Sequence, residues 1–375
     1  MNAELYQYTL PLRHPLTQKG KTITERTGLL LKLIDEDGAV GWGDAAPLPG
    51  FSRETLEQCI DSFFGFAESI RNREYFEVFQ ERAHLSSENK EVLPSVSFAI
   101  ESALQAILGH EDEFNTSASS IELSALLSGD AESILKKART LRERKIRCAK
   151  LKVGRGEVQD EAGLVVSVSK ILGTECLLRL DANRAWSLEE AKIFAKAISG
   201  ISIEYIEEPL RNPDELDSFH ATTGMPYALD ETLYEMPPPT MAKEVLNILL
   251  GERRALWFNA AAWVWKPTLL HVPMLGPALQ GLVQDEFGPK LVISAAFESG
   301  VGIAALVKYA ASCMDSDVAA GLDTYAWLEE DVLLSPLPLS GGHADVPAIC
   351  TLAGQIDMSR LEPIPMPPGC HGGIR

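Results

Sequence analysis

The chain has 375 residues, a formal net charge of −19, 46% hydrophobic and 23% charged side chains. That length exceeds one ordinary core and suits a large α/β barrel, alone or with an added domain. So acidic a balance argues against nucleic acid and anionic membrane surfaces as partners, since both are held by clustered Lys and Arg; metal ions and small ligands stay open.

The opening residues, MNAELYQYTLPLRHP, show no basic region followed by a continuous apolar core, so no signal peptide is expected. Residues 27–50, TGLLLKLIDEDGAVGWGDAAPLPG, read as two β-type runs split by an Asp-Glu-Asp-Gly turn and ended by a Pro/Gly loop. From Arg53 to Gly109 the apolar spacing becomes helical, most clearly in PSVSFAIESALQAILG, opened by Pro94 and Ser95 and closed by Gly109. The polar run HEDEFNTSASS (110–120) then marks a boundary, and the first domain is placed at 1–118.

Beyond it, short apolar runs alternate with helical stretches such as Leu188 to Ile198. The runs are IELSALL, RCAKLKV, CLLRLD, SIEYIEE, YALDE, AAWVWKP, KLVISAA and DVAAGLD. Strands alternating with helices imply right-handed βαβ units and a parallel sheet, and eight within about 200 residues match a (β/α)8 barrel over 119–324. The remainder, 325–375, is Pro- and Gly-rich and reads as irregular chain that packs back on the first domain. Ala255 to Leu275 is apolar but holds Asn259, Lys266, Pro267 and His271, too polar for a membrane span. Six scattered cysteines without a CxxC pair suit reduced thiols, hence a cytoplasmic setting. Composition fixes no oligomeric state.

In a barrel of this kind the chemistry sits where strands finish. The second run carries Lys150 and Lys152, the third ends in Asp181, the fourth in Glu207 and Glu208, the fifth in Asp230 and Glu231. The sixth ends in Lys266, the seventh runs into Glu298, and the eighth ends in Asp323. Asp181, Glu207 and Asp230 are about one βα unit apart and would converge at one rim. Three carboxylates without a cysteine or histidine form a hard-oxygen site that suits Mg²⁺, with Mn²⁺ as the alternative. Lysines on both sides of such a site suggest proton removal next to a metal-bound carboxylate, because the cation stabilises the charge that develops there. Lys150, two residues from Lys152 on one strand face, would lower the pKa of its neighbour and so tune a lysine base. Asn183, Glu208, Glu231, Glu298 and Asp323 are candidates for supporting these groups or touching substrate; for Glu298 and Asp323 a helix N-cap is an equal reading.

The motifs KLK (150–152), LRLDANRAW (178–186), IEEP (206–209), LDE (229–231) and KPT (266–268) resemble the enolase superfamily, in its muconate-lactonizing subgroup. GWGDAAPLPGFSRET (41–55), PSVSFAIESAL (94–104), SALLSGD (124–130) and GLDT (321–324) are similar to the o-succinylbenzoate synthase family within it. The resemblance implies an N-terminal α+β domain that, with the C-terminal tail, caps the barrel. It also implies Mg²⁺-assisted dehydration of 2-succinyl-6-hydroxy-2,4-cyclohexadiene-1-carboxylate to 2-succinylbenzoate, a small-molecule carboxylate chemistry of menaquinone biosynthesis. By it, Lys152 is the base, Lys150 its tuning neighbour, Asp181, Glu207 and Asp230 the metal ligands, and Lys266 the group that stabilises the enediolate. Two departures stand out: Ala295 and Ala296 replace serines common in the family, and the interval from Asp230 to Lys266 is long. The same lysines would serve an N-acylamino acid racemase or dipeptide epimerase, although GLDT holds one aspartate where dipeptide epimerases show two. A non-catalytic carboxylate-binding descendant would lack a ligand or a lysine, and none is missing.

Overall fold

The computed structural model describes residues 1–18, 21–85, 93–108, 118–235, 251, 254–270, 288–339 and 341–365. Among them the strands are β1 (Asn2–Gln18), β2 (Lys21–Ile34), β3 (Val40–Ala45), β4 (Ser120–Glu122), β5 (Ala125–Leu127), β6 (Cys148–Lys152), β7 (Leu177–Asp181), β8 (Tyr205–Glu207), β9 (Tyr227–Leu229), β10 (Ala262–Trp265), β11 (Lys290–Ile293), β12 (His343–Asp345) and β13 (Glu362–Ile364).

The first sheet is antiparallel in the order β13-β1-β2-β3. The apolar run in β2 is unbroken because both faces are covered. Leu29, Leu31 and Leu33 join Phe63, Ala99 and Ala103 in the core of the cap, while Leu30 points the other way into the barrel core. Helix Leu56–Ser69 starts on a reciprocal Thr55/Gln58 capping box. Helix Pro94–Leu108 lies so close to β3 that a Cβ on Gly43 would come within 1.8 Å of the Ala99 carbonyl oxygen, which is why the strand reads GWG.

The second sheet is parallel, in the order β11-β10-β9-β8-β7-β6-β5. The strands are buried on both faces, as in β10, where Trp263 and Trp265 pack on one side and Ala262 and Val264 on the other. The eighth run, DVAAGLD, sits in its expected place between the ends of the sheet. It makes single parallel bridges, Leu123 to Ala320 and Ser294 to Gly321, that close the ring without a full ladder.

Three expectations change. IELSALL is two strands, not one: β4 leaves the barrel and pairs antiparallel with β12, and β5 enters it. The long strand β1 adds an element that apolar alternation does not reveal, because a register shift between Pro11 and Leu16 interrupts it. The tail is ordered: Asp345 caps helix Val346–Ala353 by accepting from Ala348 N, and β13 pairs with β1. Gly109, most of the 110–120 boundary, and 236–250 of the long segment before β10 lie outside the described residues. Among the described residues no helix is long and apolar enough to cross a membrane.

Candidate active site

The parallel register sets the site. Lys152 pairs with Asp181 and Asp181 with Glu207 along adjacent strands, so three successive strand ends present their polar groups at one height. Asp230 and Lys266 follow directly after β9 and β10. Around the rim the order is therefore lysine pair, Asp181, Glu207, Asp230, Lys266, with the carboxylates flanked by cations at both ends.

The contacts are short. Lys150 Nζ donates to Glu207 Oε1 at 2.7 Å and Oε2 at 2.8 Å, and lies 2.8 Å from Asp181 Oδ2. Lys152 Nζ donates to Asp181 Oδ2 at 2.6 Å and to Asn183 Oδ1 at 2.7 Å. Lys266 Nζ donates to Asp230 Oδ1 at 2.9 Å and Oδ2 at 2.6 Å, and stands 5.7 Å from the centre of the Tyr234 ring. Asp181, Glu207 and Asp230 are buried, and the three lysines are partly open to a cavity of about 980 Å³.

Burial works against charge on every one of these carboxylates. For Asp181 the Lys150 and Lys152 ammonium groups outweigh burial and hold its carboxyl below the usual carboxylate range. Asp230 is likewise held low against burial by Lys266 and Lys150. Glu207 goes the other way: burial, then the nearby charge of Asp181, pushes it well up. Burial would lower Lys150, but Asp181 and Glu207 raise it well above an ordinary lysine.

Supporting residues fix these groups from behind. Glu208, held at φ 41° in the left-handed region, accepts from Asp230 N (2.9 Å), Thr232 N (2.7 Å), Thr232 Oγ1 (2.8 Å) and Arg184 Nε (3.0 Å). It thereby ties the loops after β7, β8 and β9 together. Asn183 Nδ2 donates to Glu231 Oε1 at 2.9 Å, and Glu231 is pushed up to about 7 by burial and by Asp230.

The remaining two expectations divide. Asp323 lines the cavity, but its Oδ2 accepts from Leu126 N at 2.8 Å and lies 3.5 Å from Lys137 Nζ. Glu298 is outside the cavity lining and fully buried; it accepts from Thr268 Oγ1 at 2.6 Å and from Ala296 N. It caps no helix: Ser299 holds the N-cap position of helix Gly300–Cys313. Ala295 and Ala296 line the cavity with Phe297, so the wall that serines would make polar is apolar here. His14, Phe297 and Trp327 also line it, and no motif in the sequence marks them.

The donor set has the chemistry of a divalent-cation site. Burial, then the neighbouring charge of Asp181, pushes Glu207 up, and among the described residues Glu231 Oε2 is buried without a hydrogen-bond partner. Such hard oxygens fit Mg²⁺. Among the described residues no three acidic, histidine or cysteine side chains already converge on one point; ammonium groups lie against Asp181, Glu207 and Asp230.

The chain is similar to known proteins over most of its length. Residues 1–107 match the family model "MenC, N-terminal domain", and residues 133–245 match "Enolase C-terminal domain-like". The chain is 30% identical over 348 residues to the o-succinylbenzoate synthase of Pasteurella multocida, covering 90% of this chain and 93% of that protein. It is 31% identical over 356 residues to the chloroplastic protein PHYLLO of Arabidopsis thaliana, covering 83% of this chain and only 20% of that much longer protein. Among solved structures, the o-succinylbenzoate synthase of Thermosynechococcus elongatus, complexed with Mg in its active site, shares the fold with a TM-score of 0.66 at 24% identity, over 88% of this chain and 95% of that one. A muconate lactonizing enzyme of Pseudomonas fluorescens shares it with a TM-score of 0.77 at 20% identity, over 96% of each chain.

Proposed function

Since the chain belongs to the o-succinylbenzoate synthase family of the enolase superfamily, we propose that it dehydrates 2-succinyl-6-hydroxy-2,4-cyclohexadiene-1-carboxylate to 2-succinylbenzoate. The observation that carries this reading is the flanking of the carboxylates Asp181, Glu207 and Asp230 by lysines at both ends of one rim.

Lys152 takes the proton from the carbon next to the substrate carboxylate. Departure of the hydroxyl from the same face lets the resulting Lys152 ammonium return that proton to the leaving oxygen as water, so one side chain serves as base and then acid. Lys266, held on the far side by Asp230, faces the enediolate with fixed positive charge. Lys150 anchors Asp181 and Glu207 and keeps a second cation beside the base. Asp181, Glu207 and Asp230 would hold Mg²⁺, which supplies positive charge at the carboxylate oxygens where the enediolate charge develops. Asn183 and Asp181 orient Lys152, and the apolar wall of Ala295, Ala296 and Phe297 shields the ring from water.

The test is an ultraviolet assay for the aromatic product with purified protein and Mg²⁺. Lys152→Ala should lower the rate by roughly 10²- to 10⁴-fold; full activity in that variant would sink the mechanism. The same two flanking lysines favour a second reading, racemisation of N-acylated amino acids. Exchange of the α-proton of N-succinyl amino acids into D₂O would show it, and absence of exchange counts against it.

A further inference from the structure

A second polar cluster lies away from the rim, between the capping sheet and the barrel. Arg26 on β2 is fully buried, yet among the described residues no carboxylate is bonded to its guanidinium. Nε donates to the Phe297 carbonyl at 3.1 Å, and the two terminal nitrogens donate to the carbonyls of Ala46 (2.7 Å) and Pro47 (3.1 Å). Asp44 on β3, also buried, accepts from Ser299 N at 2.9 Å, Ser299 Oγ at 2.8 Å and Tyr8 Oη at 2.8 Å. The packing is tight: a Cβ on Gly302 would lie 2.7 Å from Asp44 Oδ2.

The first of these anchor points, two residues before Ser299, is Phe297, a non-glycine residue held at φ 65°. Such a backbone persists only where its surroundings over-determine it, and such residues gather at ligand-facing sites. Its ring lines the cavity and meets Trp327 edge-on at 5.7 Å. Lysine rim and cap junction thus share one wall but no residue.

We propose that Arg26 and Asp44 are positioning residues, which from the capping sheet hold Phe297 in the strained conformation that forms the substrate-facing wall. The role rests on the dehydratase reading for its kinetic consequence, though not for its structural one. Relaxing the clamp moves the wall without touching Lys152, Lys266 or the carboxylates, so substrate capture suffers and chemistry does not.

Arg26→Lys keeps the buried charge but cannot span three carbonyls with a planar fork. It should raise KM about fivefold or more with kcat changed less than about twofold. Phe297→Ala should raise KM as well, and the double variant should be no worse than Phe297→Ala alone, because the clamp acts through that ring. Multiplying KM effects, or an equal fall in kcat, overturns the proposal. If Arg26→Lys fails to fold, Asp44→Asn enters the same cycle with the same two outcomes. Acrylamide quenching of Trp327, taken as the difference between each protein and its Trp327→Phe counterpart, reads the wall with no substrate present. Quenching should rise about twofold in Arg26→Lys, and unchanged quenching overturns the proposal. An inactive wild type would sink the dehydratase reading while the quenching still decides this one.

Discussion

Among the described residues, the buried carboxylates of the rim and those of the cap junction are paired by opposite means. At the rim, Asp181, Glu207 and Asp230 are met by ammonium groups on flexible stems that reach in from a cavity. At the junction, Asp44 and Glu298 are met by hydroxyl and backbone N–H donors, and the one guanidinium there serves carbonyls. A lysine pair can exchange one partner for another, whereas backbone donors cannot move without moving the chain. The first arrangement suits a site that must take up a cation and a substrate; the second suits a joint that must hold still.

The contrast can be broken by experiment. Lys152→Ala carries the largest expected effect, given above. Next, Glu207→Gln should weaken Mg²⁺ binding on the order of 100-fold or more. This is read without activity as loss of the Mg²⁺-dependent rise in melting temperature; an undiminished rise would show that Glu207 is not a ligand. The junction should answer to protons instead of metal. Burial pushes Asp44 up from 3.8 to about 6, so between about pH 4 and pH 6 the folded protein keeps a proton that the unfolded chain has released. The stability associated with Asp44 therefore falls as pH rises through that window and stays low above it, by at most about 3 kcal/mol. Urea unfolding of wild type and Asp44→Asn across the window should show their difference moving in the variant's favour. A flat difference would mean that the charge on Asp44 is compensated in the fold.

How much of this was legible follows the same division. The rim is written in short spacings: Lys150 and Lys152 share a strand face, and each carboxylate lies about one βα unit from the next. Periodicity records such regularities, so all six rim residues meet where expected. The junction joins residues 255 and 271 positions apart, Asp44 to Ser299 and Arg26 to Phe297. No local pattern encodes a partner at that distance, and none points from Glu298 to Thr268, the side chain that donates to it. The tail packs back on the first domain as expected, through β13 on β1, but hides its helix for another reason. Asp345, Pro347 and Gly354 are good helix start and stop signals, but Pro and Gly around them gave the segment the texture of a loop.

The closing of the barrel has one more consequence. Its eighth position is stitched by Ser124 N to Ala320 O and Ala320 N to Glu122 O on one side, and by Ala295 N to Gly321 O and Gly321 N to Ile293 O on the other. Elsewhere neighbours pair at two positions (β8 with β9, β9 with β10) to five (β6 with β7), against a single bridge on each side of the eighth. The cylinder therefore has a seam, and a seam is where a closed surface first parts. Amide exchange at Ala320 and Gly321 should outrun that at Leu151 and Leu180. Asp323 and Trp327 hang just past that seam, so the side of the cavity they line would breathe while the lysine side stays shut.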